Sequence, residues 1–110
     1  MAYDEDLADR LREATSDVDG LTEKRMFGGL AFLVRGNMAV AASGKGDLML
    51  RVDPEQSEEL VDEVQVRRME MRGKQMDGWL RIDLAALEED EVLRRWVGIG
   101  VRYASALPPK

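Results

Sequence analysis

Residues 26–52 leave this chain few folds to adopt. Apolar runs at 30–34, 38–42 and 48–52 are broken by Gly28-Gly29 before the first, Gly36-Asn37 between the first two, and Gly44-Lys45-Gly46-Asp47 before the last. Short apolar runs punctuated by glycine are the pattern of a β-meander. Gly36-Asn37 reads as a two-residue hairpin turn, because glycine takes the positive φ that a type II′ turn needs. That turn sets Arg35 opposite Met38, Leu33 opposite Val40 and Ala31 opposite Ala42 on one side. It sets Val34 opposite Ala39, Phe32 opposite Ala41 and Leu30 opposite Ser43 on the other. Large residues face small ones, as a filled surface requires. Neither side is polar, whereas a half-solvated antiparallel sheet alternates apolar with polar residues. Both faces therefore need a cover. The chain's own helices can supply one; the other asks for a second copy or a different protein.

The flanking sequence supplies those helices. Tyr3, Leu7, Leu11, Ala14 and Val18 recur at spacings of three and four, which predicts an amphipathic helix over 4–17 ending before Gly20. Thr22 to Met26 is a first strand, and Gly28-Gly29 a bulge or bend leading into the meander. Asp53-Pro54-Glu55-Gln56 is a helix start, with Asp53 as N-cap, Pro54 at the first position and Gln56 as capping-box partner. An acidic helix follows, with Ser57, Leu60, Val61 and Val64 on one face. Val66 to Met71 alternates as a strand, 72–77 reads as a loop, and Gly78 to Ile82 as a returning strand. Asp83 caps a short helical turn. From Asp90 to about Ala106 the apolar residues occupy most of the circumference, which predicts a largely buried last helix stopped by Pro108-Pro109.

At 110 residues the chain fits one domain, 1–110, able to bury about two-thirds of its unfolded surface. No run of ~18 apolar residues offers a membrane span, and the acidic start is unlike a signal peptide, so a cytoplasmic location is the expectation. The sequence has no cysteine and no histidine. That removes disulfides, the usual zinc sites, Ser-His-Asp and Cys-His machinery, and the commonest general base. Only carboxylates remain for acid–base work or for hard metals, so the expectation is a protein that is not an enzyme.

The net charge of −6 is unevenly spread. Residues 1–20 carry seven acids against two bases, and residues 53–64 carry six acids and no base. Residues 21–52 and 65–82 each hold five bases against two acids. Predicted helices are acidic or near neutral and predicted strands basic. The whole chain repels nucleic acid, although one basic face could engage it locally.

Several features carry two readings. Gly28-Gly29 is a bent strand or a backbone-lined anion pocket. Met69, Met71 and Met76 fill a core or form an adaptable partner surface. Trp79 is a core residue or a binding platform. Arg67, Arg68, Arg72 and Lys74, with Lys24 and Arg25, are a solvated strand surface or a nucleic-acid site, but no aromatic residues interleave with them as a base-stacking platform requires. Glu88, Glu89, Asp90 and Glu91 serve a helix dipole or hold a hard cation. Taken with Phe27, these residues make the candidate interaction surface Lys24, Arg25, Phe27, Gly28, Gly29, Arg67, Arg68, Met69, Met71, Arg72, Lys74, Met76 and Trp79. None is read as catalytic, and no cofactor or metal ligand is assigned.

Met26-Phe27-Gly28-Gly29 followed by Phe32, Gly36-Asn37-Met38, the run 48–52, Met76-Asp77-Gly78-Trp79 and the apolar last helix together resemble the N-terminal domain of the TfoX/Sxy proteins, over about Leu7 to Leu107. The resemblance implies an α+β fold: an antiparallel sheet of five to six strands with N-terminal, middle and long C-terminal helices. That fold is similar to secretion-chaperone-like proteins, which often pair as dimers. Named members of the family regulate natural competence in bacteria and carry a second, helical domain with no counterpart in this sequence. The implied role is a stand-alone regulatory or protein-interaction module, homodimeric, with an unidentified protein partner and no membrane contact. A nucleic-acid-associated regulator is the alternative, and a carboxylate-based enzyme or small-ligand binder the third.

Overall fold

Glycine turns and period-two patterning produce six strands: β1 Leu21–Met26, β2 Gly29–Val34, β3 Asn37–Ala42, β4 Leu48–Arg51, β5 Val66–Met71 and β6 Lys74–Ile82. The computed structural model describes residues 3–26, 28–61, 65–71 and 73–109, without the side chains of Met71, Gln75 and Met76. The strands form one antiparallel sheet in the order β1-β2-β3-β4-β6-β5. Three helices accompany it: α1 Glu5–Ala14, α2 Ser57–Leu60 and α3 Asp90–Ala106. Short 3-10 turns at Pro54–Gln56 and Leu84–Leu87 complete the α+β arrangement.

The helix ends follow local chemistry. The Asp4 carboxylate accepts from the Leu7 N–H at 2.8 Å and starts α1. α1 stops at Ala14, short of the expected residue 17, because Thr15 leaves helical geometry and turns its hydroxyl onto the Leu11 carbonyl at 2.7 Å. Asp53 caps as expected, accepting from the Glu55 N–H at 2.9 Å. Gln56 bonds back through its backbone N–H to the Asp53 carbonyl at 2.8 Å. α2 ends at Leu60, with Val61 already extended; Asp62, Glu63 and Val64 of the expected helix lie outside the described residues.

The central hairpin has a different register from the one the sequence suggested. Its turn is Arg35-Gly36, with φ of +51° and +87°. Positive φ at both central positions is the type I′ geometry, whose twist matches the flanking strands. Asn37 is thereby freed from the turn, and its buried amide donates to the Pro108 carbonyl at 2.9 Å. Val34 pairs with Asn37 and Leu33 with Met38; past a bulge at Ala39, Phe32 pairs with Val40, Ala31 with Ala41 and Leu30 with Ala42. Both faces stay apolar under the new register. Leu30, Phe32, Val40 and Ala42 face the helices, and Ala31, Leu33, Met38 and Ala41 face away.

Two further boundaries move. Gly28, at φ +77°, completes a tight hairpin between Met26 and Gly29, so the first glycine ends a turn and the second opens β2, rather than the two bending a strand. β6 begins at Lys74 instead of Gly78, because Gly73 at φ +78° closes the β5–β6 hairpin in two residues. Pairing then skips Asp77-Gly78-Trp79: Met69 opposes Met76, while Arg68 opposes Leu80. The skipped backbone is tied elsewhere, with the Gly78 N–H donating to the buried Ser57 hydroxyl at 2.7 Å and its carbonyl accepting from the Val52 N–H at 2.9 Å.

The core lies between the helices and one face of the sheet, centred on Phe32, Leu7, Leu11, Leu48, Leu50, Leu80, Ile82, Leu87 and Leu93. α3 crosses β3 at Gly100, where a Cβ would stand 2.6 Å from the Ala39 carbonyl oxygen. Only the stripe Leu93, Val97, Gly100 and Ala104 of α3 is buried; Val92, Trp96, Ile99, Val101 and Tyr103 are half-buried. The largely buried helix expected from its composition is thus buried along one stripe. α3 lies against the sheet on one side only.

Candidate functional site

The face of the sheet turned away from the helices is continuous and ordered by register. Lys24, Ala31, Ala41, Met49, Arg81 and Arg67 are successive direct partners from one edge strand to the other. Direct partners in antiparallel strands point to the same side, so a cation stands at each end of a row with an apolar middle. A flat six-stranded sheet would separate its edge strands by about 24 Å. Here Met26 of β1 and Met69 of β5 line one trough of about 420 Å3. The sheet therefore curls toward this face, and the irregularities at Phe32/Leu33 and Arg68/Met69 lie where extra residues sharpen the bend.

Small residues form the trough floor and methionines its walls. Gly29, Ala31 and Ala41 lie beneath Met26, Met38, Met49 and Met69. Ala31 and Ala41 are only 2% and 5% exposed, although no helix covers them. The curl and the methionines thus supply part of the shelter that the sequence reading assigned to a second protein. Gly29 is required at the floor: a Cβ there would stand 2.5 Å from the Ala42 carbonyl oxygen.

The polar end of the trough is fixed by the β3–β4 loop. Arg81 donates Nε and Nη2 to the two Asp47 carboxylate oxygens at 2.9 and 2.8 Å. The Ser43 hydroxyl donates to Asp47 at 2.6 Å and accepts from Arg81 at 3.3 Å and from the Lys45 backbone N–H at 3.0 Å. The pair is sheltered, with side-chain exposures of 18% and 16%. Removing one partner leaves the other charge poorly solvated. Arg81→Met is expected to lower stability by about 2 kcal/mol. The check is a lower urea midpoint at unchanged slope, together with faster amide exchange at Lys45.

The family model for the TfoX N-terminal domain matches residues 13–104, which take in all six strands and nearly all of α3. The chain belongs to the TfoX N-terminal domain family. This is not a known enzyme family. A comparison with curated proteins finds no match, and neither does one with solved structures.

In this TfoX N-terminal domain the residues singled out by sequence separate into groups. Lys24, Gly28, Gly29, Arg67 and Met69 lie on or beside the trough face. Arg25 pairs with Leu30 and Arg68 with Leu80, so both point to the helix side. Arg67 and Arg68 therefore leave β5 on opposite sides, and each is paired, to Asp83 at 2.7 Å and to Asp77 at 3.1 Å. Lys24 and Arg25 stand on the opposite edge strand, and Arg25 and Arg68 point to the other side of the sheet from Lys24 and Arg67, so the described basic residues form no single patch. Lys74 is exposed at the β5–β6 turn. Phe27 and Arg72 lie outside the described residues, as do the side chains of Met71 and Met76.

Trp79 is half-buried and packs against Arg51, whose guanidinium carbon is 5.2 Å from the indole centroid and 5.7 Å from the ring of Tyr103 on α3. The tryptophan thus ties sheet to helix through a shared cation. Among the described residues no three carboxylates converge to hold a metal ion, and Asp90 is engaged by Arg10 at 3.0 Å. No helix among the described residues is long and apolar enough to cross a membrane. Sequence reading missed Met26, Met38, Met49, Lys45, Glu70 and Arg81. The available signal was Met49's alternation with Leu48 and Leu50, but only strand order brings it together with the other methionines.

Proposed function

We propose that the chain is a non-catalytic regulatory module that acts by protein–protein contact through the methionine-lined face of its sheet. One observation carries the reading: a two-sided apolar sheet has helices on one face and, on the other, a trough walled by four flexible thioether side chains. Methionine is unbranched and polarizable, so such walls re-pack around partners of different shape. Membership of the TfoX N-terminal domain family supports a regulatory or interaction role of this general kind.

The test is capture of binding partners from a native extract by the wild-type chain and by Met49→Glu. Loss of specifically captured protein in the variant supports the reading, provided its circular dichroism and melting temperature match wild type. Unchanged capture removes it.

A homodimer belongs to the same proposal. Two concave troughs cannot fill one another, so a second copy would pair elsewhere on the sheet or α3 and leave the trough open. Light scattering at micromolar concentration should give twice the 12.4 kDa of one chain. A strictly monomeric mass removes the dimer. Nucleic acid is disfavoured by the pairing of Arg67 and Arg68 with aspartates and by the net charge of −6. No retention of DNA or RNA is expected in filter binding even at about 50 mM salt.

A further inference from the structure

We infer that the trough takes an acidic amphipathic helix, with the helix's apolar residues seated among Met26, Met38, Met49 and Met69 and its carboxylates on Lys24 and Lys45. This deepens the interaction reading above and rests on it.

Three observations select that occupant. The first is concavity: a trough of about 420 Å3 with Ala31 and Ala41 on its floor needs a convex apolar object. The second is backbone chemistry. The unpaired strand edges, on β1 and β5, form the trough's two rims, while its floor is the middle of a fully paired sheet. An extended peptide laid there would leave its N–H and C=O groups without partners in an apolar setting. A helix satisfies its own backbone and presents anchors at i, i+3, i+4 and i+7.

The third is charge. Lys24 stands at the β1 end of the row through the trough, and Lys45 on the loop at its polar end. Both are exposed, and neither makes an ion pair among the described residues. Arg81 and Arg67 are already neutralised by Asp47 and Asp83. The unneutralised charge flanking the apolar centre is therefore positive, with Glu70 the one carboxylate among the described rim residues that makes no ion pair with another described residue. Complementary carboxylates on the partner steer association and set its orientation.

The experiment is fluorescence anisotropy with labelled helical probes of roughly 20 residues, since much shorter peptides are marginal as helices in water. One has leucine at i, i+3, i+4 and i+7 with glutamate elsewhere; a second replaces glutamate by lysine; a third keeps the acidic composition with the leucines scrambled. The acidic amphipathic probe is expected to bind with Kd of about 10 μM, the basic and scrambled probes at least about tenfold more weakly. Met49→Glu should weaken the acidic probe by about tenfold or more, and Ala41→Leu, which fills the floor without adding charge, should do the same. Lys24→Glu with Lys45→Glu should weaken it severalfold and flatten its salt dependence.

Equal affinity for acidic and basic probes, an unchanged affinity in both trough variants, or binding of dodecanoate with none of the acidic helix overturns the inference. If partner capture is lost in Met49→Glu while no acidic probe binds, this inference falls and the interaction reading stands. If capture is unchanged, both fall.

Discussion

Phe32→Ala is expected to remove about 4 kcal/mol of folding stability and to lower the melting temperature by about 20 °C. Phe32 is fully buried on the helix face of β2, the largest of the inaccessible side chains. Its direct partner on β3 is Val40, and on the other side β1 offers only Glu23, which is engaged by Arg12 at 3.0 Å. On β1 only the half-buried Leu21, diagonal to Phe32, is apolar on this face, and it already packs against the core, so the cavity stays largely open. A loss of this size is a large share of the 5–15 kcal/mol typical of a domain. Urea unfolding followed by circular dichroism reads the effect as a lower midpoint. A loss under about 1 kcal/mol would show that the helices close onto the vacated space, contrary to the rigid sheet-helix packing described above.

The second large effect is expected at Gly100, and a neighbouring glycine supplies its control. Alanine at position 100 would place its Cβ 2.6 Å from both the Ala39 carbonyl oxygen and a Leu50 methyl group. The leucine can rotate, but the carbonyl belongs to a bulged strand held in the middle of the sheet. α3 must lift away from β3, opening the contact that Val97 and Ala104 share. Overpacking of this kind costs about 1–3 kcal/mol, here about 3 because backbone must move, and helix propensity offsets about 1 kcal/mol of it. The net expectation is a loss of about 2 kcal/mol, or roughly 10 °C. At Gly98 a Cβ would meet only the Arg102 guanidinium, at 3.7 Å. Gly98→Ala should therefore stabilise by up to about 1 kcal/mol. Equal effects at the two positions would mean that α3 does not approach β3 as closely as Gly100 implies.

The central hairpin shows where sequence reading reached its limit. Gly36 marks a turn unambiguously, but two turn types fit one glycine. Type II′ puts Gly36 first and type I′ puts it second, and the choice moves every pair. Arg35 in the left-handed region decides for the second, at a cost that strand twist repays across the whole hairpin. The same limit applies at the β5–β6 connection, where Met71 already pairs with Lys74 across Gly73 and the tight turn draws Met76 and Asp77 into a strand.

The trough was less legible than the fold. Its methionines come from β1, β3, β4 and β5, and its two edge strands are far apart in the strand order. Lys24 and Arg67 could be named as exposed cations, but not as opposite ends of one row. Conversely, Arg67 and Arg68 are adjacent in sequence and form no patch, because successive residues of a strand face opposite ways.

From the sequence alone came the element order, the capping at Asp53, the acidic or near-neutral helices and basic strands, and an apolar hairpin without a wet side. These follow from periodicity, turn residues and caps, which act over a few residues along the chain. The tertiary structure decided the register, the narrow buried stripe of α3, the pairing of each arginine and the curl that makes a trough of the open face. Those depend on which distant strands lie side by side, and that is settled by long-range packing.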